Sequence, residues 1–219
     1  MVLGDRAASS LENALLYEDL KATFSETIEG FARALEAKDP WTKNHSAGVT
    51  KLCKRTAEVM GMGKGQCAAL ERAGALHDIG KIGVRHTILT KPGKLTDTEY
   101  EEIKKHPAMG RQILERISFL DDVVPVVYHH HERWDGRGYP EGLSGAEIPL
   151  GARIMAVADT YEAMTSDRAY RKALQHQEAI AELVTCSGAQ FDPDCVAAFL
   201  RVDHASLKAD EKPEGPETQ

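Results

Sequence analysis

The sequence predicts an all-α fold, and three observations support this prediction. Apolar residues in the first 35 positions recur at spacings of three to five, mostly four, which is the pattern of a long amphipathic helix. No segment shows the sustained alternation of apolar and polar residues that indicates a half-buried strand. Thr96 and Glu99 form the capping-box pattern that opens a helix. We therefore expect a single domain of helices joined by loops.

Turn and capping residues give approximate boundaries for these helices. The first ends near Asp39, because the residue before a proline disfavours the helical conformation. The helix opened by Thr96 is expected to carry His106. Residues 134–149, rich in glycine and proline, are predicted to be a loop. The other predicted helices are one through His45 that ends at the glycines of 60–65, one from Asp121 or Asp122 to Tyr128, and those at about 66–78, 150–165, 175–186 and 193–200.

The predicted organisation has three parts. Residues 1–38 form an N-terminal amphipathic helical arm, residues 39–204 form the helical domain, and residues 205–219 form a tail. The tail is expected to be disordered, because it is rich in charge and proline and poor in apolar side chains. Two interpretations of the arm remain open: it covers the core of the bundle, or it is a signalling or dimerisation helix.

Composition argues against several classes of protein. The chain has 219 residues, 42% of them hydrophobic, and a net charge of −7, which disfavours a nucleic-acid coat or a membrane-surface protein. Its four cysteines form no CxxC pair, so a reducing cytosol is favoured over a disulfide framework. No apolar run is long enough for a membrane span, and the N-terminus lacks the apolar core of a signal peptide. We expect a cytoplasmic protein.

Histidines and aspartates in separate helices indicate a metal centre. Imidazole and carboxylate are ligands of divalent transition metals, and paired metals are a standard means of cleaving phosphodiesters. Each residue alone has an ordinary explanation, as a surface histidine or as an aspartate that caps a helix. The adjacent pair His77-Asp78 carries more weight, because it ends an apolar stretch where a free charge is costly. The candidate ligands are His45, His77, Asp78, His106, His130, His131 and Asp159.

Two motifs in this order resemble the HD-GYP family, a bacterial branch of the HD-domain metal phosphohydrolases. They are HDIGKIG at 77–83 and HHERWDGRGYP at 130–140, and the similarity spans roughly residues 39–199. Shorter matches are NHS at 44–46, KHP at 105–107 and VADTYEAMTSDRAYR at 157–171. The resemblance implies an HD-domain helical bundle with a two- or three-metal centre, usually of iron or manganese. It also implies hydrolysis of cyclic di-GMP, a bacterial second messenger.

The resemblance divides the ligands between two metals that share Asp78. One metal is then held by His45, His77, Asp78 and Asp159, and the other by Asp78, His106, His130 and His131. His129 is an additional histidine beside the motif, expected to be structural. A paired site lowers the pKa of a shared water, so a hydroxide that bridges the metals is expected to attack phosphorus.

The resemblance also places residues around the substrate. Lys81 matches the family lysine that faces the scissile phosphate, and its spacing from Asp78 fits one face of a helix. Gly138 and Tyr139 lie on the GYP loop, which resembles a wall for the guanine base. The remaining positions, near the substrate phosphates and bases, are Arg168 and Arg171, whose forked guanidinium groups suit both.

Three positions depart from the family's pattern. Some members hold a third metal with a glutamate one helical turn before the first histidine, but Trp41 stands there. We therefore expect two metals and the linear dinucleotide pGpG as product, with further cleavage to GMP left open. His86 replaces a common acidic residue and Ala169 a common proline, and neither is a presumed ligand.

Other functions remain open at this point. The domain could bind cyclic di-GMP, or a partner such as a diguanylate cyclase or a sensor, with little turnover. It could also hydrolyse another cyclic dinucleotide or a nucleotide. A homodimer through the N-terminal helix is a further alternative, whereas a nucleic-acid polymer or a membrane is not an expected partner.

Overall fold

The computed structural model describes residues 11–17, 19–20, 23, 26–28, 30–34, 45–167 and 172–204. These ranges contain helices and no β-strand, apart from one isolated bridge between Ser187 and Phe191. The predicted all-α fold is confirmed. From residue 45 onward the helices are α1 (His45–Val59), α2 (Lys64–Leu76), α3 (His86–Leu89), α4 (Asp97–Ile103), α5 (His106–Leu114), α6 (Val124–His129), α7 (Leu150–Thr165), α8 (His176–Thr185) and α9 (Pro193–Leu200). Short 3-10 helices lie at Ile79–Gly83, Ser118–Leu120 and Gly145–Glu147.

The hydrophobic core lies where α1 packs against α2, α7 and α9. Val49, Leu70, Ile154 and Phe199, one from each of these helices, are at most 1% exposed. Burying an apolar side chain of this size contributes roughly 1.5–3 kcal/mol relative to leaving it in water. This core fixes α1 and α7 side by side, and both helices carry candidate metal ligands.

The predicted capping box is confirmed, but the helix it opens is shorter than predicted. Thr96 Oγ1 accepts a hydrogen bond from the backbone N–H of Glu99 at 3.3 Å, and Glu99 Oε2 accepts one from the backbone N–H of Thr96 at 2.7 Å. This helix ends at Ile103, and a separate helix begins at His106. Pro107 explains the break, because proline is favoured in the first turn of a helix and not in its interior. The expectation that the helix opened by Thr96 carries His106 is therefore wrong.

The helix predicted to end at Asp78 also ends early. It stops at Leu76, and the chain continues as the 3-10 helix Ile79–Gly83. A 3-10 helix has three residues per turn, so it places Asp78 and Lys81 on one face. The short helix α3 follows in the next stretch of the chain.

The described part of the N-terminal arm is helical, and its two ends differ in burial. Ile28 belongs to the hydrophobic core and is 6% exposed, whereas Leu11, Leu15 and Leu20 are 63–67% exposed. Both interpretations of the arm therefore stay open. The tail at 205–219 lies outside the described residues. Within the ranges that the structure describes, no helix combines the length and apolarity that crossing a membrane requires.

The 3-10 helix Ile79–Gly83 meets α5 backbone to backbone at Gly80. A Cβ atom on Gly80 would lie 1.9 Å from the carbonyl oxygen of His106 and 2.6 Å from the amide nitrogen of Gly110. A side chain does not fit there, because both neighbours are main-chain atoms. The close contact keeps Asp78, two residues before Gly80, beside His106.

We expect Gly80→Ala to destabilise the protein by about 3 kcal/mol or more, because the added methyl group forces the 3-10 helix away from α5. Urea unfolding followed by circular dichroism measures this loss. Gly65→Ala is the matched control, since a Cβ atom at Gly65 meets nothing within 4 Å and alanine favours a helix. The control is expected to be neutral or slightly stabilised. A loss below about 1 kcal/mol for Gly80→Ala would contradict the contact.

Candidate metal centre

The seven candidate ligands come from three helices and from the turns after α2 and α6, and they converge at one place inside the bundle. His45 begins α1, His106 begins α5, and Asp159 lies in α7. Four of the imidazoles are at most 3% exposed: His45, His77, His106 and His130. Their convergence is a result of the tertiary packing, because these residues are far apart in the sequence.

The ligands form two groups of three, each compact enough for one metal ion. In each group the donor atoms lie within 4.8 Å of one another. The groups are His45 with His77 and Asp159, and His106 with His130 and His131. The structure therefore brings together all seven side chains that the sequence singled out, when Asp78 is included.

Asp78 lies between the two groups. Its Oδ2 is 3.4 Å from Nε2 of His77 in one group, and its Oδ1 is 3.3 Å from Nε2 of His106 in the other. The Lys81 ammonium donates a hydrogen bond to Asp78 Oδ2 at 2.7 Å. One carboxylate thus reaches both groups, as a bridging ligand must.

Three of the imidazoles are oriented by the backbone of their own chain segment. Nδ1 donates to the carbonyl oxygen three residues earlier: His77 to Gly74 at 2.8 Å, His106 to Ile103 at 2.8 Å and His130 to Val127 at 2.7 Å. This bond fixes the tautomer, so that Nε2 carries the lone pair and faces the centre. The same hydrogen bond from Nδ1 to a backbone carbonyl thus orients three separate histidine rings.

A metal fits this arrangement for electrostatic reasons. The Nε2 atoms of His106 and His130 face each other at 3.3 Å, although each Nδ1 holds its ring's proton on a backbone carbonyl. Two lone pairs in that position repel each other unless a cation lies against them. Nε2 of His77 is also buried and has no hydrogen-bond partner among the described residues. A buried polar atom of this kind is costly unless something binds it.

The electrostatics of the centre favour the protonation states that metals bind. Burial lowers the pKa of His106 and of His130, and lowers that of His131 to about 3. Burial alone would raise the pKa of Asp78, but the charges of Lys81 and of the neighbouring histidines hold it well below its usual value. These residues therefore present neutral imidazoles and an ionised carboxylate.

His45 is the exception, because it lies between two carboxylates. Its Nε2 is 3.2 Å from Asp159 Oδ1, and its Nδ1 donates to Glu162 Oε2. Burial would lower the pKa of His45, but the hydrogen bonds to Asp159 and Glu162 outweigh it and raise the pKa to about 10. The pKa of Asp159 is lowered despite burial, since His45 donates to it. Both ring nitrogens of His45 are thus in contact with carboxylates of α7.

The loop after His131 folds back over the second group. The Tyr139 N–H donates to the carbonyl oxygen of His131 at 3.2 Å, and the two ring centroids are 4.8 Å apart. A Cβ atom on Gly138 would lie 2.3 Å from the amide nitrogen of Arg133, so only glycine allows this close return. The Tyr139 ring thus lies against His131, one of the candidate ligands.

The loop is fastened to the turn before α9. The backbone N–H groups of Trp134 and Asp135 donate to the carbonyl oxygens of Gln190 and Ala189 at 3.1 and 2.9 Å. The guanidinium carbon of Arg153 lies 5.7 Å from the centroid of the Trp134 ring, at a distance that permits a cation–π contact. These contacts hold the start of the loop in place.

Two glutamates beside the site, one fully buried and one partly buried, were not predicted from the sequence. The side chain of Glu132 is fully buried, and its Oε1 accepts from the backbone N–H groups of Glu141 at 2.7 Å and Gly142 at 3.1 Å. Glu162 contacts His45 as described above. Their positions carried a signal: Glu132 follows the histidine pair directly, and Glu162 lies one helical turn after Asp159.

The other residues that the sequence singled out lie outside the two groups or outside the described residues. His129 belongs to neither group, and its Nδ1 is 3.7 Å from Glu132 Oε1. His86 is exposed at the start of α3. The positions that lie outside the described residues are Trp41, Arg168, Ala169 and Arg171.

The chain is similar to a described protein family and to several known proteins. A family profile described as "HD domain" matches residues 29–195. The cyclic di-GMP phosphodiesterase response regulator RpfG of Xanthomonas campestris is 39% identical over 198 residues, which cover 89% of this chain and 52% of the relative. A cyclic di-GMP phosphodiesterase of Thermotoga maritima is 41% identical over 189 residues, which cover 85% of this chain and 50% of the relative. The chain thus spans about half the length of these curated relatives.

Solved structures show the same fold. The HDGYP protein Bd1817 from Bdellovibrio bacteriovorus superposes with a TM-score of 0.60 at 19% identity, over 75% of this chain and 51% of that chain. The cyclic GMP-AMP specific phosphodiesterase V-cGAP3 of V. cholerae superposes with a TM-score of 0.51 at 31% identity, over 83% of this chain and 40% of that chain. The likeness to the first is evidence for the fold alone.

Glu132→Ala is expected to loosen the loop that Glu132 holds. Losing the carboxylate leaves the N–H groups of Glu141 and Gly142 without their acceptor, so their hydrogen exchange should accelerate about tenfold or more. Exchange measured by NMR tests this, with metal content measured in parallel and expected to be unchanged. Glu147→Ala is the control, because Glu147 accepts from the backbone of Ser144 in the same loop. Equal protection at residues 141 and 142 in both variants would contradict the role of Glu132.

Proposed function

The chain belongs to the HD-domain family, in its HD-GYP branch, and we propose that it is a metal-dependent phosphodiesterase that hydrolyses cyclic di-GMP to linear pGpG. The observation that carries this proposal is the pair of candidate ligand groups with Asp78 in contact with both, and with the Tyr139 ring against His131. The relatives named cyclic di-GMP phosphodiesterases support the choice of substrate. Further cleavage to GMP stays open.

We propose that two metal ions bind, with iron or manganese favoured by the family. His45, His77 and Asp159 would hold one ion, and His106, His130 and His131 the other, with Asp78 shared between them. Ions in such a pair supply Lewis-acid polarisation of the phosphoryl group and an activated water. Imidazole and carboxylate ligands without a thiolate suit both metals.

The protein's own residues would bind and orient the substrate. Lys81 lies beside Asp78, and its ammonium carries three N–H donors that can stabilise the charge that develops on the phosphoryl oxygens. Tyr139 and Gly138 would form a wall for one guanine, since an aromatic ring offers a stacking face. Arg168 and Arg171 would contact the phosphates and bases of the substrate.

A second candidate substrate is another cyclic dinucleotide. V-cGAP3, whose name specifies cyclic GMP-AMP, resembles this chain in both sequence and fold. The two substrates share the phosphodiester ring and one guanine, so the metal centre does not distinguish between them. Residues that contact the second base would distinguish the two substrates.

We further propose a cytoplasmic location and an interaction through the arm. None of the four cysteines forms a disulfide, as suits a reducing compartment. The exposed apolar side chains of Leu11, Leu15 and Leu20 suit a helix that pairs with a second copy of the chain. A sensor or a diguanylate cyclase is the alternative partner for this surface.

Hydrolysis is tested with protein reduced and loaded with iron or manganese. We expect cyclic di-GMP to be converted to pGpG, separated by chromatography, and a chelator-treated sample to lose this activity because the ions are required. Cyclic GMP-AMP and cyclic di-AMP run in parallel test the second candidate. Absence of pGpG and GMP with either metal, at confirmed loading, would contradict a catalytic function and favour a binding module.

Lys81→Ala is expected to lower kcat about 10²–10³-fold, because one donor to the transition state is lost. Metal content should stay at the wild-type value, as measured by elemental analysis. Lys54→Ala is the control, since Lys54 pairs with Glu71 at the surface and should keep full activity. Loss of metal in Lys81→Ala would show that Lys81 is structural instead.

We expect two metal ions per chain. Asp78→Asn should reduce occupancy of both sites, because this carboxylate reaches both groups. His106→Ala should leave about one ion per chain, because it removes a ligand from one group only. Elemental analysis with anomalous diffraction measures both. Three ions in the wild type would refute the two-metal proposal and would require a third ligand set in place of the glutamate that Trp41 replaces.

A further inference from the structure

We infer that Glu162 is a positioning residue that orients His45 and makes the group of His45, His77 and Asp159 the tighter of the two metal sites. This inference rests on the proposed function only in that both require metal binding. It concerns a difference in metal affinity between the two groups.

The first observation is a contrast among the imidazoles. His77, His106 and His130 each donate Nδ1–H to a neutral backbone carbonyl three residues earlier. His45 instead donates Nδ1–H to the carboxylate of Glu162. Of these four rings, His45 alone depends on a side chain from a different helix for its orientation.

The second observation is that one turn of α7 holds both nitrogens of His45. Asp159 Oδ1 lies 3.2 Å from Nε2, and Glu162, three residues later, accepts from Nδ1. Asp159 occupies the side of the ring that faces the metal group, and Glu162 occupies the opposite side. The ring plane of His45 is therefore set by α7, although His45 itself belongs to α1.

Glu162 is itself held in place. Its Oε1 accepts from the Ser166 hydroxyl at 2.6 Å, and its side chain is 13% exposed. A Cβ atom on Gly48 would lie 3.0 Å from Glu162 Cγ, so α1 leaves just enough room for this side chain. A carboxylate fixed by two partners is suited to positioning, because it loses little further side-chain entropy when the metal binds.

The chemical consequence is a difference in charge. A carboxylate acceptor makes the imidazole more basic than a carbonyl acceptor does, and it adds a negative charge near the ion. The group with His45 then has Asp159 as a ligand and Glu162 behind it, whereas the other group has three imidazoles. Asp78 contacts both groups, so its charge does not change the difference in charge between them. The group with His45 should attract a divalent cation more strongly.

The test is a calorimetric titration of the metal-free 219-residue chain with Mn²⁺. The wild type should show two steps of unequal affinity. Glu162→Gln, which keeps the size and removes the charge, should weaken the tighter step about 10–100-fold and leave the weaker step unchanged. His106→Ala should remove the weaker step and so identify it. Glu115→Gln, the same charge change at an exposed ion pair, is the control and should alter neither step.

NMR gives a second readout that needs no metal. In the wild type the Nδ1 proton of His45 should resonate far downfield, because it is shared with a carboxylate. Glu162→Gln should move this signal upfield and leave the signal of His77, which donates to a carbonyl, in place. A merely structural role for Glu162 would not change one imidazole selectively.

The outcomes separate this inference from the proposed function. An unchanged tight step in Glu162→Gln, or a loss confined to the step that His106→Ala also removes, would overturn the inference and leave the phosphodiesterase proposal intact. Equal affinities in the wild type would overturn it as well. A selective loss of the tight step in a protein that fails to hydrolyse any cyclic dinucleotide would support the inference and contradict the proposed function.

Discussion

The structure depends on one electrostatic constraint: a cluster of imidazoles and carboxylates has to be buried without leaving its polar atoms unsatisfied. Burial of an unpaired polar atom costs about 1–3 kcal/mol, so each ligand needs a partner on the side that faces away from the centre. Three histidines obtain it from a carbonyl on the preceding turn, and His45 obtains it from Glu162. Four of the candidate ligands therefore lie where such a partner exists.

The sequence predicted those features that are encoded locally. Helical periodicity predicted the all-α fold, and the capping box at Thr96 is present as expected. Ligand-type residues in separate helices, together with two motifs, predicted the centre that His77 and Asp78 occupy. These signals suffice because capping and metal ligation are properties of residue type and spacing.

The features that escaped prediction depend on tertiary contacts. The break before His106 places this ring against the 3-10 helix of Gly80, and the sequence suggested a continuous helix instead. Glu132 and Glu162 looked like ordinary charged residues of a loop and of a helix surface. Their contacts depend on the folded loop and on α1, since Glu132 binds N–H groups nine and ten residues later and Glu162 binds His45, 117 residues earlier.

The histidines of the centre differ in what holds their rings in orientation. Three rings are held by their own chain segment, and one is held by a different helix. His77, His106 and His130 take their alignment from their own chain segment, so a rigid displacement of that segment carries the aligned ring with it. His45 has no such independence, because its alignment exists only while α1 and α7 keep their spacing. Gly48 permits that spacing, since a Cβ atom on it would lie 3.0 Å from Glu162 Cγ. The alignment of His45 therefore tolerates only as much movement as this one helix–helix interface allows, and a residue without a side chain leaves the room for it.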